Sequence, residues 1–325
     1  MNKIDIKENY IYQLDNELLS ILLIDRTTGK NIIWATDNYA HRGEGYLSDD
    51  HIEVAAITGY HGAVIKPRTE KSKREQLSRV RDKAEVFTPS WICNKQNNLI
   101  DAAWFGRVRV FNTERGNTWS TRQKPVAFPS KDGKTWQDYV CANRMEVSCG
   151  EAPYLVSRYD TVTGEVIPVK KRIGLLDRKL RVICENVDSE PEWYAWAKKA
   201  IMSVYGFDWQ GDNVLLAREN LLFTFSDWYI EKFGPAPIKE YLKEIATILS
   251  WNIWQMDGLK FVIPNSCKPV PKMQITFFDD DQTTEECPGC LHHDPDAHTG
   301  AYCKIKDWDT EEIILFKDLT KEEKA

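Results

Sequence analysis

Between residues 139 and 265, strand-like and helix-like runs alternate, and few architectures accommodate that alternation. YVCANRMEVS (139–148) reads as a strand, Cys149-Gly150 as a tight turn, and the residues after Pro153 as the start of a helix. A hairpin follows in RYDTVTGEVIPV, turning at Thr163-Gly164. RIGLLDRKLRVI and the amphipathic helix PEWYAWAKKAIMSV lead to the strand VYGFDWQ and the long helix DNVLLARENLLFTFSDWYIEKF, which Gly234-Pro235 ends. A further helix, IKEYLKEIATILSW, runs into NIWQMDGL and a short strand, KFVIP. A strand, turn and helix followed by a second strand ending in an acid, Asp208, is the pattern of a doubly wound α/β nucleotide site.

The flanks read differently. Residues 10–65 alternate apolar and polar positions in short runs broken by Thr28-Gly29 and Gly43-x-Gly45, which predicts a small β-rich region with hairpins. In FTPSWICNKQNNLIDAAWF, Thr88-Pro89 marks a helix start, and Trp91, Leu99, Ile100 and Trp104 supply the apolar pattern. The expected organisation is an N-terminal region over 1–84, a cofactor-binding domain over 85–265 and a C-terminal tail over 266–325. A chain of 325 residues suits such a division, at roughly 100–200 residues per domain.

Charge and apolar content exclude several classes. The densest apolar runs, Leu18–Ile24 and Ile313–Phe316, are far short of the roughly 20 residues of a membrane span. The N-terminus, with Lys3, Asp5, Lys7 and Glu8, lacks the basic-then-apolar layout of a secretory signal, so the expected location is cytoplasmic with no membrane partner. A net charge of −6 argues against a simple nucleic-acid coat. Residues 66–83 nonetheless hold eight basic and three acidic side chains, either a solvated face or a nucleic-acid patch, while Asp279–Asp281 and Glu285–Glu286 place acid near the other end.

Asp208 stands where an acid binds ribose hydroxyls, or equally where a carboxylate caps the following helix, a role open to Asp212 too. Asp257-Gly258, by itself, has the sequence of a surface turn. Four segments in order, EVFTP (85–89), MEVSCGEAPYL (145–155), YGFDWQGDNVLLARENLL (205–222) and NIWQMDGL (252–259), resemble the S-adenosylmethionine-binding half of N6-adenine DNA methyltransferases of the restriction–modification M-subunit type, also called restriction endonuclease subunit M. The resemblance covers roughly residues 75–260 and implies a Rossmann-like methyltransferase core that binds S-adenosylmethionine. It implies DNA as a partner, along with a second restriction–modification subunit.

The resemblance also assigns residues. Phe87, Thr88 and Pro89 match the element that closes over the methionine end of the cofactor, and Glu146 matches the acid near its amino group. Ser148, Cys149, Gly150 and Tyr154 fall in the cofactor loop, with Cys149 as a packing residue and Ala152 where the family has its second glycine. Asp208 matches the ribose acid, Trp209 the residue packing on adenine, Asp257 the acceptor for the adenine amine, and Leu259 its apolar neighbour. The chain departs from the family in lacking the Asn/Asp-Pro-Pro-Tyr/Phe tetrapeptide that grips a flipped base. Asn265 in VIPNSCK is the nearest catalytic candidate. The expected function is therefore N6-adenine methylation, alone or with a partner polypeptide, or a non-catalytic cofactor- or DNA-binding subunit. A zinc-bearing nuclease component is a third reading, and no Pro-Asp…Glu-x-Lys or His–Asn–His arrangement supports it.

Near the C-terminus, Cys287-Pro-Gly-Cys290 is followed by His292, His293, His298 and Cys303. Cys287, Cys290, His298 and Cys303 have the spacing of a structural zinc site resembling a zinc knuckle, with His292 or His293 as substitutes for His298. The alternatives are free cysteines in an acidic tail or a redox Cys-x-x-Cys.

Overall fold

The computed structural model describes residues 8–83, 85, 87–129, 133–271 and 284–321, with the side chains of Asp82 and Lys83 left aside. Lys3, Asp5, Lys7, Val86 and Asp279–Asp281, all used above, lie outside the described residues.

The N-terminal region is helical, which corrects the β-rich expectation. Helices α1 (Glu8–Leu14) and α2 (Asn16–Leu23) are followed by irregular chain with two isolated bridges, Ile24 to Asn31 and Ile33 to His51, and the short α3 (Val54–Ile57). The reason lies in Leu18, Leu19, Leu22 and Leu23: their spacing forms one helical stripe, and all four are buried. Asp15 caps α2 by accepting from the Glu17 amide. The basic stretch forms α4 (Lys73–Lys83), and α5 spans Ser90–Phe105. Of the apolar positions read on α5, Trp104 packs against the core, while Leu99 is 66% exposed and Ile100 is also exposed. Cys93, Asn94, Asn97, Asp101 and Phe105 are buried instead. The polar ones are tolerated because each is bonded: Asn97 donates to the carbonyls of Tyr154 and Ile173, and Asp101 pairs with Arg178.

The hairpin β1 (Asn112–Arg115) and β2 (Thr118–Thr121) and helix α6 (Trp136–Cys141) precede the central unit. There, strands β3 (Arg144–Val147), β4 (Val204–Asp208) and β5 (Ile253–Gln255) form a parallel sheet in the order β3-β4-β5. Helices α7 (Leu175–Asn186) and α8 (Glu190–Met202) cross from β3 to β4, and α9 (Gly211–Phe233) and α10 (Lys239–Asn252) from β4 to β5. The three strands and the helices between them form a parallel βαβαβ unit. After Pro153 the chain turns without forming the expected helix, and the hairpin bridge Tyr159 to Val166 follows. Beyond β5, β6 (Val270–Pro271) pairs with β7 (Thr284–Glu285), α11 spans Pro288–His292, and β8 (Lys304–Lys306) pairs with β9 (Ile313–Leu315), each pair antiparallel.

One apolar core joins α1 and α2 to α7–α10, so the N-terminal region is part of the main body. A smaller core of Phe207, Trp254, Met256, Ile263, Ile305 and Phe316 fixes the C-terminal segment to the sheet. Among the described residues no helix is long and apolar enough to cross a membrane.

Candidate functional site

Parallel strands bring their carboxyl ends to one edge of a sheet, and three acids gather there. Glu146, in β3, accepts from the amides of Tyr154 and Leu155. Burial is the main influence on its carboxyl and pushes it up to about 8 against those donors. Asp208, the last residue of β4, accepts from the Gly150 amide at 2.9 Å, the Gln210 amide at 2.9 Å and the Asn213 side chain at 3.3 Å. Burial raises it to about 6. Neither reading of a helix cap applies at α9, whose N-cap is Gln210 without a side-chain bond. Asp208 instead ties the loop after β3 to the end of β4. Asp257, two residues past β5, accepts from the amides of Leu259 and Lys260 and so orders the turn that follows.

The loop after β3 is unusual in its backbone. Ser148, Gly150 and Ala152 all have positive φ, at 50°, 53° and 62°. The position where the family has its second glycine therefore does require the left-handed region, and alanine occupies it at a strain cost of order 1–2 kcal/mol. Cys149 between them is buried against Gly206. The Phe87 ring lies against the same loop, 3.6 Å from where a Cβ on Gly150 would stand, and the Arg68 guanidinium sits 5.0 Å from the ring centre. Thr88 offers its carbonyl to the Thr161 hydroxyl, and Pro89 is the N-cap of α5. Trp209 is 37% exposed, its indole N–H donating to the Ala35 carbonyl, and Leu259 is 89% exposed.

The basic stretch is a docked element. Lys71 and Arg79 turn inward onto Asp212, at 3.3 and 2.6 Å, and Arg79 also reaches Glu85 and the Tyr39 hydroxyl. Burial opposes ionisation of Asp212, but the two cations hold its carboxyl well below the usual range. Lys73, Arg74 and Arg81 remain exposed on the outer side of α4.

A cavity of about 250 Å³ opens beyond the sheet edge between Trp209, Asp257, Lys260 and Asn265 on one side and Cys267 and Cys290 on the other. Asn265 is exposed and sits at φ 59°, a conformation asparagine tolerates, so it is a turn residue leading into Cys267. A larger cavity, about 640 Å³, lies away from these acids between α1, α2, α9 and α10, with mainly apolar walls such as Leu18, Leu222 and Phe223.

The ligand atoms of Cys267, Cys287, Cys290 and His298 all lie within 4.8 Å of one another. Each of the three sulfurs is 3.7 Å from His298 Nδ1. A tetrahedral zinc with Zn–S of about 2.3 Å and Zn–N of about 2.0–2.1 Å requires sulfur–nitrogen edges of about 3.6 Å, so the cluster has the dimensions to hold zinc. Gly289 is obligatory in this packing, since a Cβ there would stand 2.6 Å from His298 Nδ1. Burial works against ionisation of Cys287, but donation from the Thr299 and Cys290 amides and the neighbouring His298 bring its thiol down to about 5. Burial first, then the adjacent thiols, push Cys267 up to about 12.

Cys303 is not in the cluster, which corrects the expected ligand set. It is fully buried, its thiol directed at the Gln255 carbonyl at 3.4 Å. Cys303 and Ile305 are two positions apart on extended chain, so both face the apolar core against Trp254 and Phe316. Cys267 takes the fourth place. Sequence spacing missed it because it lies twenty positions before Cys287, and the signal that was present is its turn sequence Pro-Asn-Ser-Cys. His292 and His293 are likewise not ligands. The Arg79–Asp212 pair, Lys260 and Gln255, whose side chain bonds both backbone groups of Ile33, carry no motif signal. No protein-family profile, no curated protein and no solved structure matches the chain.

Proposed function

We propose that the chain binds S-adenosylmethionine at the carboxyl ends of β3, β4 and β5, as the cofactor-binding component of an N6-adenine DNA methyltransferase of the restriction–modification M type. The observation that carries this reading is the placement of Asp208, Trp209 and Asp257 at adjoining strand ends, with Gly150 bonded to Asp208 and Phe87 resting on Gly150. In this reading Asp208 accepts from the ribose hydroxyls, Trp209 packs on the adenine, and Asp257 accepts from its amine. Phe87 and Glu146 lie toward the methionine end. The Asp208 carboxylate has capacity for further donors, since its three present bonds leave a lone pair open. When bound, the cofactor supplies an electrophilic methyl group.

The base-gripping tetrapeptide is absent from the sequence, and Asn265 is held in a turn beside the metal cluster. That favours a chain that binds cofactor and DNA but needs a second polypeptide to methylate. Labelled-methyl transfer to DNA measures this: no transfer by the chain alone and transfer on adding a partner subunit fits the reading, while transfer by the chain alone refutes the division of labour.

The Cys267, Cys287, Cys290 and His298 cluster is proposed to hold one structural zinc. Metal analysis of protein purified without chelator should give about one equivalent. Cys303→Ala should keep that zinc and Cys267→Ser should lose most of it; the reverse pattern would restore the spacing-based ligand set.

A further inference from the structure

Resting on the cofactor reading above, we propose that the Cys₃His centre is a wall of the ligand pocket, and that zinc there sets the pocket's affinity for the purine end of its ligand. The 250 Å³ cavity is bounded by the sheet edge through Trp209 and Asp257 and by the metal loop through Cys267, Cys287 and Cys290. Pockets that enclose whole drug-sized ligands run roughly 300–1,000 Å³, so this one suits a single planar ring system. An indole face and a carboxylate are the complement of an aromatic base with an exocyclic amine.

The two walls are mechanically joined. Residues 257–263 form a turn closed by bonds from the Asp257 amide to the Val262 carbonyl and from the Phe261 amide to the Asp257 carbonyl. That turn is held by the segment following His298, through Ile263 to Ala301 and Cys303 to Phe261. The His298 backbone is fixed by the hydrogen bond that its N–H donates to the Tyr302 hydroxyl.

Lys260 links the walls by charge. Its ammonium lies 3.4 Å from Cys290 Sγ and 3.8 Å from Asp257 Oδ2. A zinc dication with three thiolates and a neutral imidazole carries one net negative charge. The Lys260 ammonium balances it and in the same position orients the Asp257 carboxylate toward the cavity. Such outer partners of metal ligands commonly transmit metal occupancy to their surroundings.

The test uses the full chain, zinc-loaded, chelator-stripped and reloaded, with Lys260→Met as a variant that leaves all four ligands in place. Calorimetric titration with S-adenosylhomocysteine should show at least tenfold weaker binding after stripping and recovery on reloading. Lys260→Met, still carrying one zinc, should bind about threefold weaker. Circular dichroism of the stripped protein, with its helical signal retained, separates loss of the wall from loss of the fold. Equal affinity of the loaded, stripped and Lys260→Met proteins would overturn the coupling while leaving the cofactor reading intact. Absence of binding by the loaded wild type would overturn the cofactor reading, and the coupling with it.

Discussion

Ala152 shows how a single residue can reveal the demands of a loop. The resemblance to the methyltransferase pattern would put a glycine there, and the φ of 62° at Ala152 lies in the left-handed region that glycine adopts readily. Two effects oppose each other in Ala152→Gly. Relief of left-handed strain is of order 1–2 kcal/mol, whereas the lost buried methyl costs about 0.8 kcal/mol and the freer unfolded chain another 0.4–1 kcal/mol. The substitution should therefore change stability by less than about 1 kcal/mol in urea unfolding. Ala152→Val, with a branched side chain forced to positive φ in a closed site, should cost more than about 2 kcal/mol. A large loss from glycine would show that the methyl's packing, and not the backbone, governs this position. Other residue-scale features were legible in sequence to differing degrees. Cys287, Cys290 and His298 could be read from spacing, but Cys267 and Cys303 exchanged roles because the choice depends on which face of an extended segment points to the core.

At the scale of elements, helices α8, α9 and α10 and strand β4 were legible because their apolar runs and end signals agree along their length, whereas α7 and β5 were not read as elements and the expected strand KFVIP holds only the isolated bridge at Val262. The misread elements are those settled by tertiary contacts. Residues 10–65 were read as alternating short runs, yet the four leucines of α2 are buried together as one helical stripe. The polar buried face of α5 has no sequence signature, since Asn97 and Asp101 are chosen by partners in the loop at Tyr154 and in α7. The charge of α4 likewise conceals that Arg79 and Lys71 are its anchors. Replacing Arg79 with methionine leaves Asp212 a buried carboxylate with one cation, a loss of about 3–5 kcal/mol. Faster amide exchange across residues 73–83 than in β4 is the expected readout, and uniform exchange across the chain would contradict the anchoring role. The Asp212 carboxyl is depressed in the folded state, so its contribution is present above the unfolded carboxylate value near 3.9 and lost as pH falls toward the lower folded one. Arg79→Met should thus destabilise less at pH 3 than at pH 7.

For the molecule as a whole, the three expected regions are held together by two cores. Arg218 illustrates the joining of the first: its buried guanidinium donates to the carbonyls of Leu22 and Ile24 at the end of α2, to Ser250 in α10 and to Ile253 in β5. Burial brings it down to about 9. The C-terminal segment expected as a tail is packed on the sheet through Phe207, Trp254 and Phe316, which places the metal cluster beside the strand ends. Sequence could supply the order of the motifs but not this adjacency, because it arises from contacts between residues some fifty positions apart, such as Cys303 with Gln255. The arrangement makes the strand ends and the metal loop two walls of one cavity.

Calorimetric titration of S-adenosylmethionine into the zinc-loaded chain, with Trp209→Ala alongside and repeated from pH 5 to pH 8, tests the central claim most directly. Asp208 must be ionised to accept from ribose hydroxyls, and its carboxyl stands at about 6. The account predicts micromolar binding that is weakened at least tenfold in Trp209→Ala, steady above pH 7 and falling as the pH drops through 6. Binding that ignores both the substitution and the pH, or no binding by the folded, zinc-loaded protein at any pH, would contradict it.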